Sequence, residues 1–191
     1  MSATKAVIFD CFGVLAIDAG EMYVAKFPQH VRELSDLGAA CNRGYIDQDE
    51  YVRSVGELTG DSVERVRALL RQEHAVNEPL LEYINANLKP KYRIGMLSNI
   101  GRGWINEVFE KQLLESMFDA IVLSGEEGIA KPDAAIYALA ARRLGVEPHE
   151  CVMVDDREVN LFGAETAGMQ TVLYGSYEQA TKNLERVIQV S

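Results

Sequence analysis

Short runs that are apolar on both faces constrain the fold most, because such runs are typical of strands buried inside a parallel sheet. Three runs are well defined and two weaker ones share the same pattern. They are AVIFD (6–10), YRIGMLSN (92–99) and CVMVDD (151–156), followed by the weaker AIVLSG (120–125) and TVLYG (171–175). Between them, apolar residues recur at the three- and four-residue spacing of helices in 104–117, 134–145 and 160–169. This alternation predicts an α/β fold with a Rossmann-like, doubly wound parallel sheet.

The interval between the first two strands does not show this alternation of strands and helices. From about residue 16 to 78 the chain shows only helical periodicity, with Asp47 and Asp61 at positions suited to helix N-caps. We therefore expect an α-helical cap domain over residues 16–78, inserted into a core domain formed by 1–15 and 79–191.

The composition of the chain limits the kinds of molecule that it is expected to bind. The formal net charge is −10, so phosphate backbones and anionic lipid surfaces would repel the chain. We expect no nucleic-acid and no membrane partner, the latter also because no run reaches the ~18 apolar residues of a membrane span. The three cysteines are scattered and the first residues lack a signal-peptide pattern, from which we expect a cytoplasmic protein. Nothing in the sequence indicates an oligomeric state.

Polar residues concentrate where the predicted strands end. They are Asp10 after the first strand, Ser98 and Asn99 after the second, Lys131 in GIAKPD, and Asp155 and Asp156. Ligands of open α/β sheets bind outside the carboxyl ends of the strands. Because burial of an unpaired carboxylate is costly, these groups should neutralise one another or hold a cation.

Four stretches, taken in order, resemble the motifs of the haloacid dehalogenase superfamily, whose members are mostly magnesium-dependent phosphatases. The stretches are DCFGV (10–14), LSN (97–99), KPD (131–133) and VDDREVN (154–160), and the helical insertion lies where that superfamily has its C1-type cap. The DDxxxN form of the last stretch is similar to bacterial sugar-phosphate phosphatases and to the phosphatase domain of soluble epoxide hydrolases. In the cap, NRGYIDQDEYV (42–52) resembles the start of a cap helix in the same proteins.

The resemblance implies a catalytic set. Asp10 would be the nucleophile that forms an aspartyl-phosphate, and Lys131 would neutralise charge on the nucleophile and on the phosphate. Ser98 and the backbone N–H around Asn99 would hold the phosphoryl oxygens. The substrate would be a small phosphate ester, with sugar phosphates among the expected esters.

The resemblance also implies a metal site. Asp156, supported by Asp155, would bind Mg²⁺ together with Asp10 and the backbone carbonyl of Phe12. Oxygen ligands of this kind suit Mg²⁺, which is usually held by one or two carboxylates and the substrate phosphate.

Phe12 departs from the pattern of the superfamily's phosphatases, most of which carry there the aspartate that protonates the leaving group. Loss of a general acid or base typically lowers the rate by ~10²–10⁴-fold. A phosphatase would then use a carboxylate of the cap, with Asp18, Glu21 and Asp47 as candidates, or a leaving group that needs little protonation. Two alternatives are a 2-haloacid dehalogenase-like hydrolase in which Asp10 attacks carbon without a metal, and a catalytically impaired binding or regulatory module.

Overall fold

The structure is a computed structural model that describes residues 3–17, 19–72 and 76–190. Its centre is a five-stranded, entirely parallel sheet in the order β3-β2-β1-β4-β5. The strands are β1 (Ala6–Phe9), β2 (Arg93–Ser98), β3 (Ala120–Leu123), β4 (Cys151–Asp155) and β5 (Gln170–Leu173). The predicted Rossmann-like sheet is therefore confirmed, with each strand at its predicted place.

Side chains of the central strands alternate between two apolar layers, as a strand's two-residue period requires. Val7 and Phe9 of β1 point into one layer, and Ala6 and Ile8 point into the other. All four are fully buried. Helices cover both faces, which explains why β1 reads as a continuous apolar run in the sequence.

The helices that cover the sheet follow the strands in sequence. They are α5 (Glu78–Tyr83), continued by a π-helix over Ile84–Leu88, then α6 (Ile105–Val108), α7 (Lys111–Met117), α8 (Ser124–Glu127), α9 (Ala134–Leu144), α10 (Glu158–Thr166) and α11 (Tyr177–Val190). None of the helices in the described ranges combines the length and apolar character that a bilayer span requires.

In the described ranges, four α-helices lie between β1 and α5. They are α1 (Ala19–Ala25), α2 (Val31–Asn42), α3 (Gln48–Thr59) and α4 (Val63–Gln72), with a 3₁₀ turn at Pro28–His30. Their buried residues, among them Tyr23, Leu34 and Val55, form an apolar cluster separate from the two layers of the sheet. We call these four helices the cap; its predicted bounds at residues 16 and 78 stay a prediction.

Two local predictions for helices are wrong. The stretch 104–117 forms two helices, α6 and α7, because Phe109 and Glu110 adopt extended backbone angles between them. Asp61 does not cap α4: Ser62 does, with its Oγ accepting from the N–H of Arg65 at 3.2 Å. Asp61 accepts instead from the hydroxyl of Tyr23 at 3.0 Å.

The predicted N-cap at Asp47 is confirmed. Asp47 caps α3, with its Oδ1 accepting from the N–H of Glu50 at 2.8 Å. Gly145 ends α9 in the left-handed conformation, at a φ of 71°.

Candidate active site

The strand register brings the polar strand ends together. Phe9 pairs with Val154 of β4 and with Met96 of β2, so the residues that follow these three positions meet at one edge of the sheet. The N–H of Asp10 donates to the carbonyl of Val154 at 2.9 Å, which continues the ladder by one bond. Asp10 and Asp155 therefore lie side by side.

Lys131 joins these two carboxylates. Its Nζ lies 2.8 Å from Oδ1 of Asp10 and 2.6 Å from Oδ2 of Asp155. All three residues are buried, with exposed fractions of 4% for Lys131, 6% for Asp10 and 0% for Asp155. The ammonium group is thus shared between two carboxylates out of contact with water.

The charges in this cluster shift one another's pKa values. Burial lowers the pKa of Lys131, but the attraction of Asp10 and Asp155 outweighs burial, so the pKa of the lysine is raised and it stays cationic. Burial raises the pKa of Asp10; Lys131 opposes this effect and the neighbouring Asp155 adds to it. The positive charge of Lys131 therefore does not fully compensate the negative charge of the carboxylates around it.

Asn99 fixes the loop that carries Lys131. Its side-chain Nδ2 donates to the carbonyl of Lys131 at 2.9 Å, and its Oδ1 accepts from the N–H of Lys131 at 2.8 Å. This two-way bond joins the end of β2 to the Lys131 loop. The side chain of Asn99 therefore positions Lys131, whereas the predicted contact of its backbone N–H with phosphate stays a prediction.

Asp155 is held from three sides. Nδ2 of Asn160 lies 2.9 and 3.2 Å from its two oxygens, and the N–H of Arg157 donates to Oδ1 at 2.9 Å. The hydroxyl of Tyr137 donates to the carbonyl of Asn160 at 2.5 Å and so supports this arrangement from α9. These contacts fix the carboxylate that binds Lys131, whereas the predicted support of Asp156 by Asp155 stays a prediction.

Asp156 lies against the loop after β1. A Cβ atom on Gly13 would be 2.4 Å from Oδ2 of Asp156, so only glycine permits this approach, and Gly13 has a φ of +83°. Oδ1 of Asp156 is buried and has no hydrogen-bond partner within the described part of the chain. Burial and the charge of Asp155 raise the pKa of Asp156.

These carboxylates fit a hard divalent cation. One oxygen each from Asp10, Asp155 and Asp156 lies within 4.8 Å of the others. Three carboxylates face the single ammonium of Lys131, and the unpartnered Oδ1 of Asp156 is a ligand atom without another function. Oxygen donors and an excess of negative charge are what Mg²⁺ requires. Phe12 lies in the loop between Asp10 and Gly13, and its carbonyl as a ligand stays a prediction.

Ser98 ends β2 at the same edge of the sheet. It is fully buried, and its Oγ has no hydrogen-bond partner among the described residues. A buried hydroxyl without a partner costs free energy, so such a group is unusual unless a ligand satisfies it.

The structure describes two of the three carboxylates that were predicted as candidates to replace the acid at position 12. Asp18 lies outside the described residues. Asp47 is exposed and caps α3. Glu21 lines an open cleft together with Gly13 and Tyr174.

The side chain of Phe12 lines a different, narrow cleft, between the cap and the core. Its other lining residues are Gln48, Val52, Arg67, Leu70, Trp104, Glu107 and Val108. The sequence gives no sign of this cleft, because its walls come from several separate elements and no local motif marks their meeting.

Comparison with known proteins agrees with the four motifs. A family model described as haloacid dehalogenase-like hydrolase matches residues 4–168. The N-acylneuraminate-9-phosphatase of Rattus norvegicus is 32% identical over 105 residues, covering 54% of this chain and 42% of that protein. The bifunctional epoxide hydrolase 2 of Rattus norvegicus is 26% identical over 218 residues, covering 97% of this chain and 39% of that protein. The chain spans less than half of the length of either relative.

Among solved structures, a HAD family enzyme of Bacteroides thetaiotaomicron, in complex with magnesium and inorganic phosphate, has the same fold. Its TM-score is 0.76 at 23% identity, over 95% of this chain and 99% of that chain. Motifs, fold and family match converge, and the chain belongs to the haloacid dehalogenase-like hydrolases.

Proposed function

We propose that the protein is a Mg²⁺-dependent phosphatase that hydrolyses a small phosphate ester through an aspartyl-phosphate on Asp10. The observation that carries this proposal is the buried group of Asp10, Lys131 and Asp155 with Asp156 beside it. Three carboxylates around one ammonium leave negative charge that a divalent cation neutralises, at the edge of the sheet where substrates of such folds bind.

Asp10 acts as the nucleophile. An oxygen of its carboxylate bonds to phosphorus while the bond from phosphorus to the alcohol oxygen breaks, and the electron pair leaves with the alcohol. The N–H of Cys11 donates to Oδ1 of Asp10 at 2.6 Å and Lys131 binds the same oxygen, so Oδ1 is held in place. The other oxygen, Oδ2, is then the attacking atom.

Three residues hold the transferring phosphoryl group. The hydroxyl of Ser98 donates to a phosphoryl oxygen and gains the partner that it lacks among the described residues. The ammonium of Lys131 stabilises charge on the phosphoryl group, and the backbone N–H of Asn99 adds a further donor. Because phosphoryl transfer depends on positioning and on charge neutralisation, these fixed groups supply most of what the step needs.

Asp10, Asp156 and the carbonyl of Phe12 would hold the cation, and Mg²⁺ bound there would neutralise charge on the phosphate. Asp155 stays with Lys131 and Asn160, which already bind both of its oxygens.

Water then attacks the phosphorus of the aspartyl-phosphate, the bond to Asp10 breaks, and inorganic phosphate is released. Phe12 supplies neither the proton for the leaving alcohol nor a base for this water. The leaving group therefore departs without help from residue 12.

The relatives support phosphate ester chemistry. The rat N-acylneuraminate-9-phosphatase is named for a phosphate ester, and the Bacteroides structure holds magnesium and inorganic phosphate. A dehalogenase attacking carbon needs no cation, and it would leave the charge of Asp156 unbalanced. A module without chemistry would not require the buried arrangement of Asp10 with Lys131.

Phosphate release tests the proposal. The chain is incubated with a panel of sugar, alkyl and aryl phosphates, with Mg²⁺ or with EDTA. Asp10→Asn removes the nucleophile, and Asp36→Asn, at an exposed position of α2, is the matched control. We expect release that requires both Mg²⁺ and Asp10 and is unchanged in the control. No release from any ester, or equal release by Asp10→Asn, would reject the proposal.

A further inference from the structure

The narrow cleft beside Phe12 has mainly apolar and aromatic walls. Phe12, Val52, Leu70, Trp104 and Val108 supply them, from the loop after β1, from α3 and α4 of the cap, and from the segment that begins α6. Phe12 follows the nucleophile by two residues. The cleft therefore adjoins the loop that follows the nucleophile, and it lies between the cap and the core.

The polar side chains of this cleft already have protein partners. Nε2 of Gln48 donates to Oε1 of Glu107 at 3.1 Å, and Arg67 forms an ion pair with Asp49. A group with several hydroxyls would lose hydrogen bonds to water wherever it packed against the apolar walls, and only the polar atoms of Gln48, Arg67 and Glu107 could replace them. Apolar groups carry no such cost.

Trp104 provides one unused donor. Its indole nitrogen Nε1 is buried and has no hydrogen-bond partner in the described part of the chain. The ring itself is fixed edge-on against Tyr51, with centroids 5.3 Å apart. Trp104 therefore gives the cleft a fixed aromatic wall, which favours a ligand with an apolar body.

Phe12 limits the leaving group in a second, independent way. Without an acid at this position, the alcohol oxygen must leave unprotonated, as an anion. Phenols carry that charge far better than sugar hydroxyls do, so an ester of a phenol does not need the missing acid.

We propose that the leaving group is a flat, apolar ring, so that the substrate is an aryl phosphate whose aryl group enters the cleft between Phe12 and Trp104. This inference rests on the proposed function. In the first step the Asp10 oxygen bonds to phosphorus, the bond from phosphorus to the aryl oxygen breaks, and the aryloxide takes a proton from water. The cleft is narrow in this structure, so α3 and α4 must draw back from the core for the ring to enter.

The test is a series of substituted phenyl phosphates that differ in the acidity of the phenol, compared with an alkyl phosphate and with sugar phosphates. We expect kcat/KM for phenyl phosphate to exceed that for sugar phosphates by roughly 100-fold or more, because the apolar walls of the cleft offer sugar hydroxyls no partners. We also expect kcat/KM to fall steeply as the phenol becomes less acidic. Phe12→Asp should flatten this dependence by supplying the missing acid.

Trp104→Leu removes the aromatic wall and keeps an apolar side chain. It should lower kcat/KM for phenyl phosphates several-fold and change kcat/KM for sugar phosphates less. Equal or better hydrolysis of sugar phosphates, or no dependence on phenol acidity, would overturn the inference while leaving the proposed function intact. Failure of every ester would instead reject the proposed function.

Discussion

Gly13→Ala isolates the contact between the loop after β1 and the carboxylate of Asp156. Gly13 has a φ of +83°, and a Cβ there would lie 2.4 Å from Oδ2 of Asp156. Gly60, at the end of α3, has nearly the same φ of +80°, but a Cβ there would meet nothing within 4 Å. Gly60→Ala is therefore a control with equal backbone strain and no clash.

The magnitudes follow from these two environments. A left-handed backbone costs a non-glycine residue roughly 1–2 kcal/mol, so both variants should lose about that much free energy of unfolding. In Gly13→Ala the carboxylate must also move by about 1 Å, from 2.4 Å to the 3.4 Å at which ordinary contact begins. A displacement of ~1 Å at a catalytic group costs on the order of 10²-fold in rate.

Urea unfolding and Mg²⁺-dependent phosphate release measure the two effects separately. We expect similar losses of stability in both variants, and a loss of activity together with weaker Mg²⁺ binding in Gly13→Ala alone. Full activity in Gly13→Ala would show that catalysis does not need Asp156 at this position, and the proposed metal site would be wrong.

Three further predictions concern the same edge of the sheet. Lys131→Met should lower the free energy of unfolding of the metal-free protein by about 3–5 kcal/mol in urea, because it leaves two carboxylates buried without their cation. Lys182 is exposed, so the control Lys182→Met should not change the free energy of unfolding measurably. Ser98→Ala should leave the free energy of unfolding unchanged or slightly higher, since the hydroxyl has no partner among the described residues. It should nevertheless lower the rate of phosphate release by roughly 10²–10³-fold. A clear loss of stability would show that the hydroxyl has a partner in the folded protein. Mg²⁺ at about 100 times its Kd should raise the free energy of unfolding by ~2.7 kcal/mol and the Tm by roughly 5–11 °C in a thermal scan. Asp156→Asn should abolish that shift, and a persistent shift would place the metal elsewhere.

The sheet could be predicted well from the sequence because its signal is local. A strand covered on both faces is apolar throughout, and β1 and β4 show this pattern in four and five consecutive buried residues. The prediction of one helix over 104–117 failed because apolar residues recur at helical spacing on both sides of the break. No feature of the local sequence indicates that Phe109 and Glu110 adopt an extended backbone.

The polar strand ends could be found for a similar reason. Asp10, Ser98 and Asp155 each follow or end an apolar run, and parallel strands bring such ends to one edge. The partners of these groups depend on tertiary structure instead. The resemblance assigned only the backbone N–H around Asn99 to the phosphate. It gave no role to the side chain of Asn99, which binds the backbone of Lys131, 32 positions further along the chain.

The cleft beside Phe12 shows the same limit more strongly. Val52 and Leu70 belong to the cap and Trp104 to the core, and they meet only because α3 and α4 pack near the start of α6. In the sequence, each looks like an ordinary apolar residue of a helix. Only the packed structure shows that they share a wall with Phe12.

A covalent intermediate on Asp10 is the step on which the proposed mechanism depends. The protein is mixed with an aryl phosphate and Mg²⁺, quenched rapidly in acid, and the peptide that contains Asp10 is weighed by mass spectrometry. We expect a fraction of this peptide to be heavier by one phosphoryl group, assigned to Asp10 by fragmentation, and absent with EDTA and in Asp10→Asn. Phosphate release without this intermediate, or a phosphoryl group on another residue, would contradict the mechanism.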